Sequence, residues 1–131
     1  MADFRLPADE LEYTVLAELW QLGKASVREL HQRVGVPQGL VYTTTAKVLD
    51  RLRSKALIER RREATGYVYT PAIEPATVER ARVRHLLHRF LGPGPHAAAA
   101  ALVEAAGDLD PALLDEFEQA IRDRRRSGHG S

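Results

Sequence analysis

In VYTTTAKVLDRLRSKALIERRR, Val41 to Arg62, the hydrophobic period changes partway along, from that of a helix to that of a strand. The first part predicts a helix from about Tyr42 to Lys55. Val41, Thr45, Val48, Leu49 and Leu52 fall on one face of it. Thr43, Ala46, Lys47, Asp50 and Ser54 fall on the other, with Tyr42 and Arg51 near the boundary. Such a helix buries aliphatics and shows hydroxyls and cations. Thr45 is expected to face the core. From Leu57 to Arg62 the period is two, as in a strand. Ala64-Thr65-Gly66 reads as a turn in which Gly66 can take a positive φ. Tyr67-Val68-Tyr69-Thr70, rich in aromatic and β-branched residues, reads as a second strand stopped by Pro71. The pair makes a β-hairpin tipped with arginine.

Upstream, Leu11, Val15, Leu16, Leu19 and Trp20 give one apolar stripe on a helix from roughly Ala8 to Leu22, with Pro7 suited to its start and Gly23 to its end. Ser26-Val27-Arg28-Glu29 is a capping-box sequence that opens a short second helix, and Val27, Leu30 and Val34 are its buried side. Gly35, Pro37 and Gly39 break that helix. Downstream, Val83, Leu86, Leu87, Phe90 and Leu91 stripe a helix from about Pro75 to Leu91, and Gly92-Pro93-Gly94-Pro95 breaks it. A compact helix from Ala97 to Ala106 carries Leu102 and Val103. Asp110 caps the last helix, Pro111 sits in its first turn, and Leu113, Leu114, Phe117 and Ile121 line its face. The basic, then glycine-rich end from Arg124 reads as disordered.

The 131 residues suit one small domain with an appended helical arm. With no cysteine, disulfides, thiolate catalysis and cysteine metal sites are excluded. The first residues, Met1 to Pro7, hold no apolar segment of the kind a signal peptide needs, and no apolar run approaches a membrane span. A soluble cytoplasmic protein with no membrane partner is expected. The net charge of +1 hides an uneven distribution. Thr43 to Arg62 carry seven cations against two acids, while residues 72–131 carry eight against nine. On charge alone such a block is the footprint of a nucleic-acid face or, as most charge runs are, a solvated helix face. The coincidence of this block with the third helix and the hairpin favours DNA.

Helix, helix, helix and arginine-tipped hairpin is the order of a winged helix-turn-helix. The expected fold is therefore mostly α with a small β-hairpin, a winged helix-turn-helix followed by a helical dimerisation arm. Residues 1–72 are assigned to the DNA-binding domain, 73–126 to the arm and 127–131 to a disordered tail. The third helix can enter the major groove, where base edges carry a distinguishable code, and the wing can lie along the backbone. Thr43, Thr44 and Lys47 are expected as groove contacts, with Tyr42 at the entry and Arg51 on a phosphate. Arg60, Arg61, Arg62 and Tyr67 are the wing candidates. Strand alternation points Arg61 away from Arg60 and Arg62, so the three cannot meet DNA alike. Tyr67 or Tyr69 can equally pack under the wing.

The residues also resemble a known family. Leu11-Glu12-Tyr13-Thr14-Val15-Leu16-Ala17-Glu18-Leu19-Trp20-Gln21-Leu22-Gly23 and Ser26-Val27-Arg28-Glu29-Leu30 look like the opening of the penicillinase-repressor family, which includes BlaI, MecI and CopY. Tyr42-Thr43-Thr44-Thr45, Leu49-Asp50-Arg51-Leu52, Lys55-Ala56-Leu57-Ile58 and Gly66-Tyr67-Val68-Tyr69-Thr70-Pro71 are similar too. The resemblance implies a homodimeric transcriptional repressor on a palindromic operator. Ala56 departs from the glycine usual after the third helix, and the loop Gly35-Val36-Pro37-Gln38-Gly39 is unusual. The copper-responsive branch carries a C-terminal cysteine cluster that this chain lacks, which excludes a copper sensor of that type. In the β-lactamase-regulating branch a protease cleaves the arm at an Asn-Phe pair. The corresponding stretch, Ala99 to Glu104, reads Ala101-Leu102 at that place.

Val83, Leu86, Leu87, Phe90, Leu91, Leu102, Leu113, Leu114, Phe117 and Ile121 are the expected dimerisation residues. Packing within one chain is the alternative, and the resemblance favours intertwined arms. No catalytic residue, metal ligand or cofactor is expected. His85 and His88 stand at metal-binding spacing, but without an acidic partner they read as solvated, and His31, His96 and His129 form no constellation. The chain has no phosphate loop or nucleophile elbow. Two rivals to an operator-binding repressor are an effector-responsive regulator of the MarR kind and a winged helix that binds protein. Partners therefore include operator DNA, a second copy, and a regulatory protease or small effector.

Overall fold

The computed structural model describes residues 3–91 and 95–128, without the side chains of Phe90, Leu91, Pro95 and Ala97. The element order is α1 (Glu10–Leu22), α2 (Val27–Leu30), α3 (Tyr42–Ser54), β1 (Ile58–Glu63), β2 (Gly66–Pro71), α4 (Pro75–Leu91), α5 (Pro95–Leu109) and α6 (Ala112–Gly128). The fold is mostly helical with one two-stranded antiparallel sheet, as the sequence predicts. Two compact units divide it, residues 1–83 and 84–131. The division falls after Val83 rather than after residue 72, because Val78 is fully buried in the first core and Trp20 Nε1 donates to the Ile73 carbonyl at 2.9 Å.

In the first unit, Val15, Leu16 and Leu19 of α1 meet Leu30, Val34, Val48, Leu49 and Leu52, and Leu57, Ile58 and Tyr69 close the cluster from the hairpin. Each such side chain contributes about 2 kcal/mol through removal from water. Asp9 caps α1 by accepting from the Glu12 amide at 2.9 Å, so the helix starts at Glu10, later than the expected Ala8. The Ser26–Glu29 capping box forms in both directions. The short α2 does not simply break: it runs on through a π-helical turn, His31–Gly35, and a 3-10 turn, Val36–Gln38, and ends on Gly39 at φ 71°.

Helix α3 closes through Ala56. Its φ is 62°, the Ala56 amide donates to the Arg53 carbonyl at 3.0 Å, and the Leu57 amide donates to the Leu52 carbonyl at 3.1 Å. These two bonds are those of a Schellman cap, normally built on glycine. Leu57 is thereby turned into the core, and the strand starts one residue later than expected, at Ile58. The hairpin pairs Ile58 with Pro71 through Glu63 with Gly66. Ala25 adds a bridge to Tyr69, exchanging backbone bonds of 3.0 and 2.8 Å. That bridge and the buried Tyr69 root the wing in the body.

The second unit contains α5 and α6 packed as a helical pair. α5 is longer than the expected Ala97–Ala106, since Gly107 continues the helix; a Cβ there would meet the Leu114 side chain at 3.2 Å. Asp110 caps the next helix, accepting from the Ala112 amide at 3.0 Å. α6 extends to Gly128 and so takes in Arg124 to Gly128, which the sequence reads as disordered, while 129–131 lie outside the described residues. So do Gly92 to Gly94, where the break is expected.

Candidate nucleic-acid interface

Helix α3 presents the side chains that its periodicity assigns to solvent. Tyr42, Thr43, Lys47 and Arg51 are exposed and Thr44 is half-buried, while Thr45, Val48, Leu49 and Leu52 are buried. Val41 differs from expectation. Its backbone is extended at the N-cap, with φ −82° and ψ 158°, so it lies off the helical wheel and its side chain is 65% exposed. It cannot cap the helix, and no side chain does. With Val36 and Tyr42 it puts exposed apolar surface at the start of α3.

That start is fixed from behind by His31. Its Nδ1 lies 2.8 Å from Thr45 Oγ1, and its ring meets the Tyr42 ring edge-on with centroids 5.6 Å apart. Gly35 makes the approach feasible, since a Cβ there would overlap both His31 Nδ1 and Thr45 Oγ1. The other end of α3 is held by Glu12, a fully buried carboxylate on α1. Glu12 Oε1 accepts from Lys55 Nζ at 2.5 Å and from the Ala8 amide at 3.0 Å, and Oε2 lies 3.4 Å from Arg51 Nε. Arg5 also reaches this end, its backbone amide donating to the Lys55 carbonyl at 2.9 Å and its side chain to the Ser54 carbonyl at 3.2 Å.

The wing sorts its arginines by face. Arg60 and Arg62 share a face with Tyr67, their guanidinium carbons 4.0 and 5.5 Å from the ring centroid. Tyr67 thus stacks with the two cations while itself remaining exposed, and Tyr69 is in the core. Arg61 lies on the opposite face and pairs with Glu63 at 3.3 Å, which Lys24 also approaches at 3.6 Å. Arg53, on α3, lines an open cleft with Ile58, Glu59, Arg60, Arg61 and Thr70. Away from this surface, burial pushes the Tyr13 hydroxyl above its ordinary pKa, while the Arg82 guanidinium over its ring at 4.5 Å pulls it down.

His31, Gly35, Val41 and Glu12 are the residues that sequence reasoning did not assign to this surface. Glu12 did leave a signal, an acid at helical spacing with Val15, Leu16 and Leu19 on the apolar stripe. Among the described residues there is no cluster of three His, Asp or Glu that could hold a metal, and no helix long and apolar enough to cross a membrane.

The sequence matches the penicillinase repressor family over residues 9–123. No curated protein matches it. The structure is similar to that of PcaV, a transcriptional regulator from Streptomyces coelicolor solved with its natural ligand. The TM-score is 0.48 and the identity 22%, over 81% of this chain and 79% of that one. It is similar to Bordetella bronchiseptica BpsR, whose DNA binding is regulated by 6-hydroxynicotinic acid, with TM-score 0.46 and 18% identity over 79% and 76% of the two chains. Lactococcus lactis ZitR, as a C30AH42A mutant, matches with TM-score 0.45 and 12% identity over 91% and 76%.

Proposed function

The chain belongs to the penicillinase repressor family of DNA-binding transcriptional regulators, and from that premise we propose that it represses transcription as a homodimer on a palindromic operator. The observation that carries the reading is the joint exposure of Thr43 and Lys47 on α3 beside a wing whose Arg60 and Arg62 are stacked on Tyr67. Tyr42, Thr43, Thr44 and Lys47 enter the major groove, and Arg51, Arg60, Arg62 and Tyr67 serve the backbone. Arg61, tied to Glu63 on the other wing face, contributes charge at longer range.

Dimerisation is supported by apolar side chains that a lone chain leaves in water. Val83, Leu86, Leu102, Leu114 and Ile121 are exposed, and Leu87, Leu113 and Phe117 are only half-buried. The side chains of Phe90 and Leu91 lie outside the described residues. A winged helix of this size reads few base pairs, and a twofold partner doubles the site. A cytoplasmic location belongs to the same reading, as does release from DNA by a protease or small effector. Ala101 and Leu102 are exposed on α5.

The test is a gel shift with the DNA upstream of the chain's own gene, against non-specific duplex at two salt concentrations, with sedimentation of the complex. Sequence-dependent binding of two chains per site is expected, weakening steeply with salt. Absence of binding to any duplex at low salt overturns the reading.

A further inference from the structure

We propose that Glu12 is a positioning residue for DNA binding, a buried carboxylate that aims the Arg51 guanidinium at a backbone phosphate. The inference rests on the DNA-binding reading above and adds to it a residue on α1, outside the recognition helix and the wing.

A carboxylate with 2% of its side chain exposed must be paired, and Lys55, itself 13% exposed and 2.5 Å away, is enough to neutralise it. Arg51 is therefore surplus to charge balance. Two cations on one carboxylate leave one net positive charge, and it resides on the outer group, since the Arg51 side chain is 52% exposed. Arg51 meets Glu12 through Nε, at 3.4 Å, and among the described residues its guanidinium has no other ion pair. Among the described residues no hydrogen bond or second ion pair engages its terminal nitrogens, and the side chain is half exposed. A guanidinium ion-paired through Nε, with its terminal nitrogens otherwise unengaged, is suited to a planar, two-point grip on phosphate oxygens. A free arginine must give up rotamer freedom to make that grip; one drawn toward a buried carboxylate has given up part of it beforehand. Position supports the assignment: Arg51 is on α3 one turn beyond Lys47, on the same side of the helix.

A purely structural role, stapling α1 to α3, needs only Lys55 and makes no link between Glu12 and DNA. A double-mutant cycle separates the two. The probes are the tightest duplex selected from a random-sequence pool and poly(dI-dC), titrated at several salt concentrations, with thermal melting of every variant. Arg51→Ala is expected to lose about tenfold in affinity and to lower the salt slope by about one. Glu12→Gln keeps the shape and the acceptor for the Ala8 amide but loses the anchor, so it weakens binding severalfold in the wild-type background and not at all in Arg51→Ala. Arg51→Lys keeps the charge without the Nε anchor and binds severalfold more weakly than wild type.

Equal losses from Glu12→Gln in both backgrounds, or wild-type binding by Arg51→Lys, overturn the proposal. If Glu12→Gln does not fold, the Arg51→Lys and Arg51→Ala comparison decides it. A wild-type chain that binds no duplex overturns the DNA reading together with this one; a wild-type chain that binds while the cycle is additive overturns this one alone.

Discussion

Ala56 holds a left-handed backbone at φ 62° with a side chain that disfavours it. The cap it makes is complete, so the cost is steric and local, about 1 kcal/mol. Ala56→Gly is expected to raise stability by roughly 0.5–1 kcal/mol, part of the relief being lost to the freer unfolded chain. Urea denaturation checks this, and an unchanged or lowered midpoint contradicts it. Gly35 is the opposite case. Its φ is ordinary, and what it lacks is room, because a Cβ would overlap His31 and Thr45 where α3 meets the turn before it. Gly35→Ala should cost about 2–3 kcal/mol, with part of the loss recovered by also making Thr45→Ala. Thermal melts of the single and double variants measure both terms; a single variant that melts with the wild type removes close packing as the reason for this glycine.

The wing is one element with two kinds of residue, those that root it and those that show. Tyr69, buried and bridged to Ala25, roots it, while Tyr67 lies under Arg60 and Arg62. Tyr67→Ala therefore should leave the fold within about 1 kcal/mol of wild type and weaken all duplexes alike, because wing cations meet phosphates. Lys47→Ala, on the groove side of α3, should instead flatten preference at one base step. Selection of binding sites with each variant distinguishes the two; a changed sequence preference in Tyr67→Ala would move that residue into the groove. Much of this was legible in the sequence, since a switch of hydrophobic period marks helix from strand and alternation sorts Arg61 from its neighbours. Val41 was misread because the helical wheel was carried one residue past the helix, into extended backbone that turns the side chain outward. Glu12 was missed because its partner Lys55 is 43 residues away, and pairing at that distance is set by how α1 and α3 pack.

For the whole molecule, the family assignment implies regulation, and the uncovered apolar residues of the helical region supply the argument for assembly. Leu86 at 45% and Ile121 at 49% exposure are the places to test it. Leu86→Asp or Ile121→Asp should shift the chain to monomer in sedimentation and cost at least tenfold in affinity for a two-half-site duplex, with little change for a single half-site. Dimers that persist in both variants exclude these faces from the interface. The two ends of α3 have a consequence of another sort. His31 and Gly35 fasten one end, Glu12 and the Ala56 cap the other, and all of these lie off the face that carries Thr43, Ala46, Lys47 and Asp50. Of these, Thr43, Lys47 and Asp50 are exposed, and none of the contacts that fasten the helix ends involves them. The helix is built like a key blank: the shank is clamped, and the teeth can be recut for a different lock.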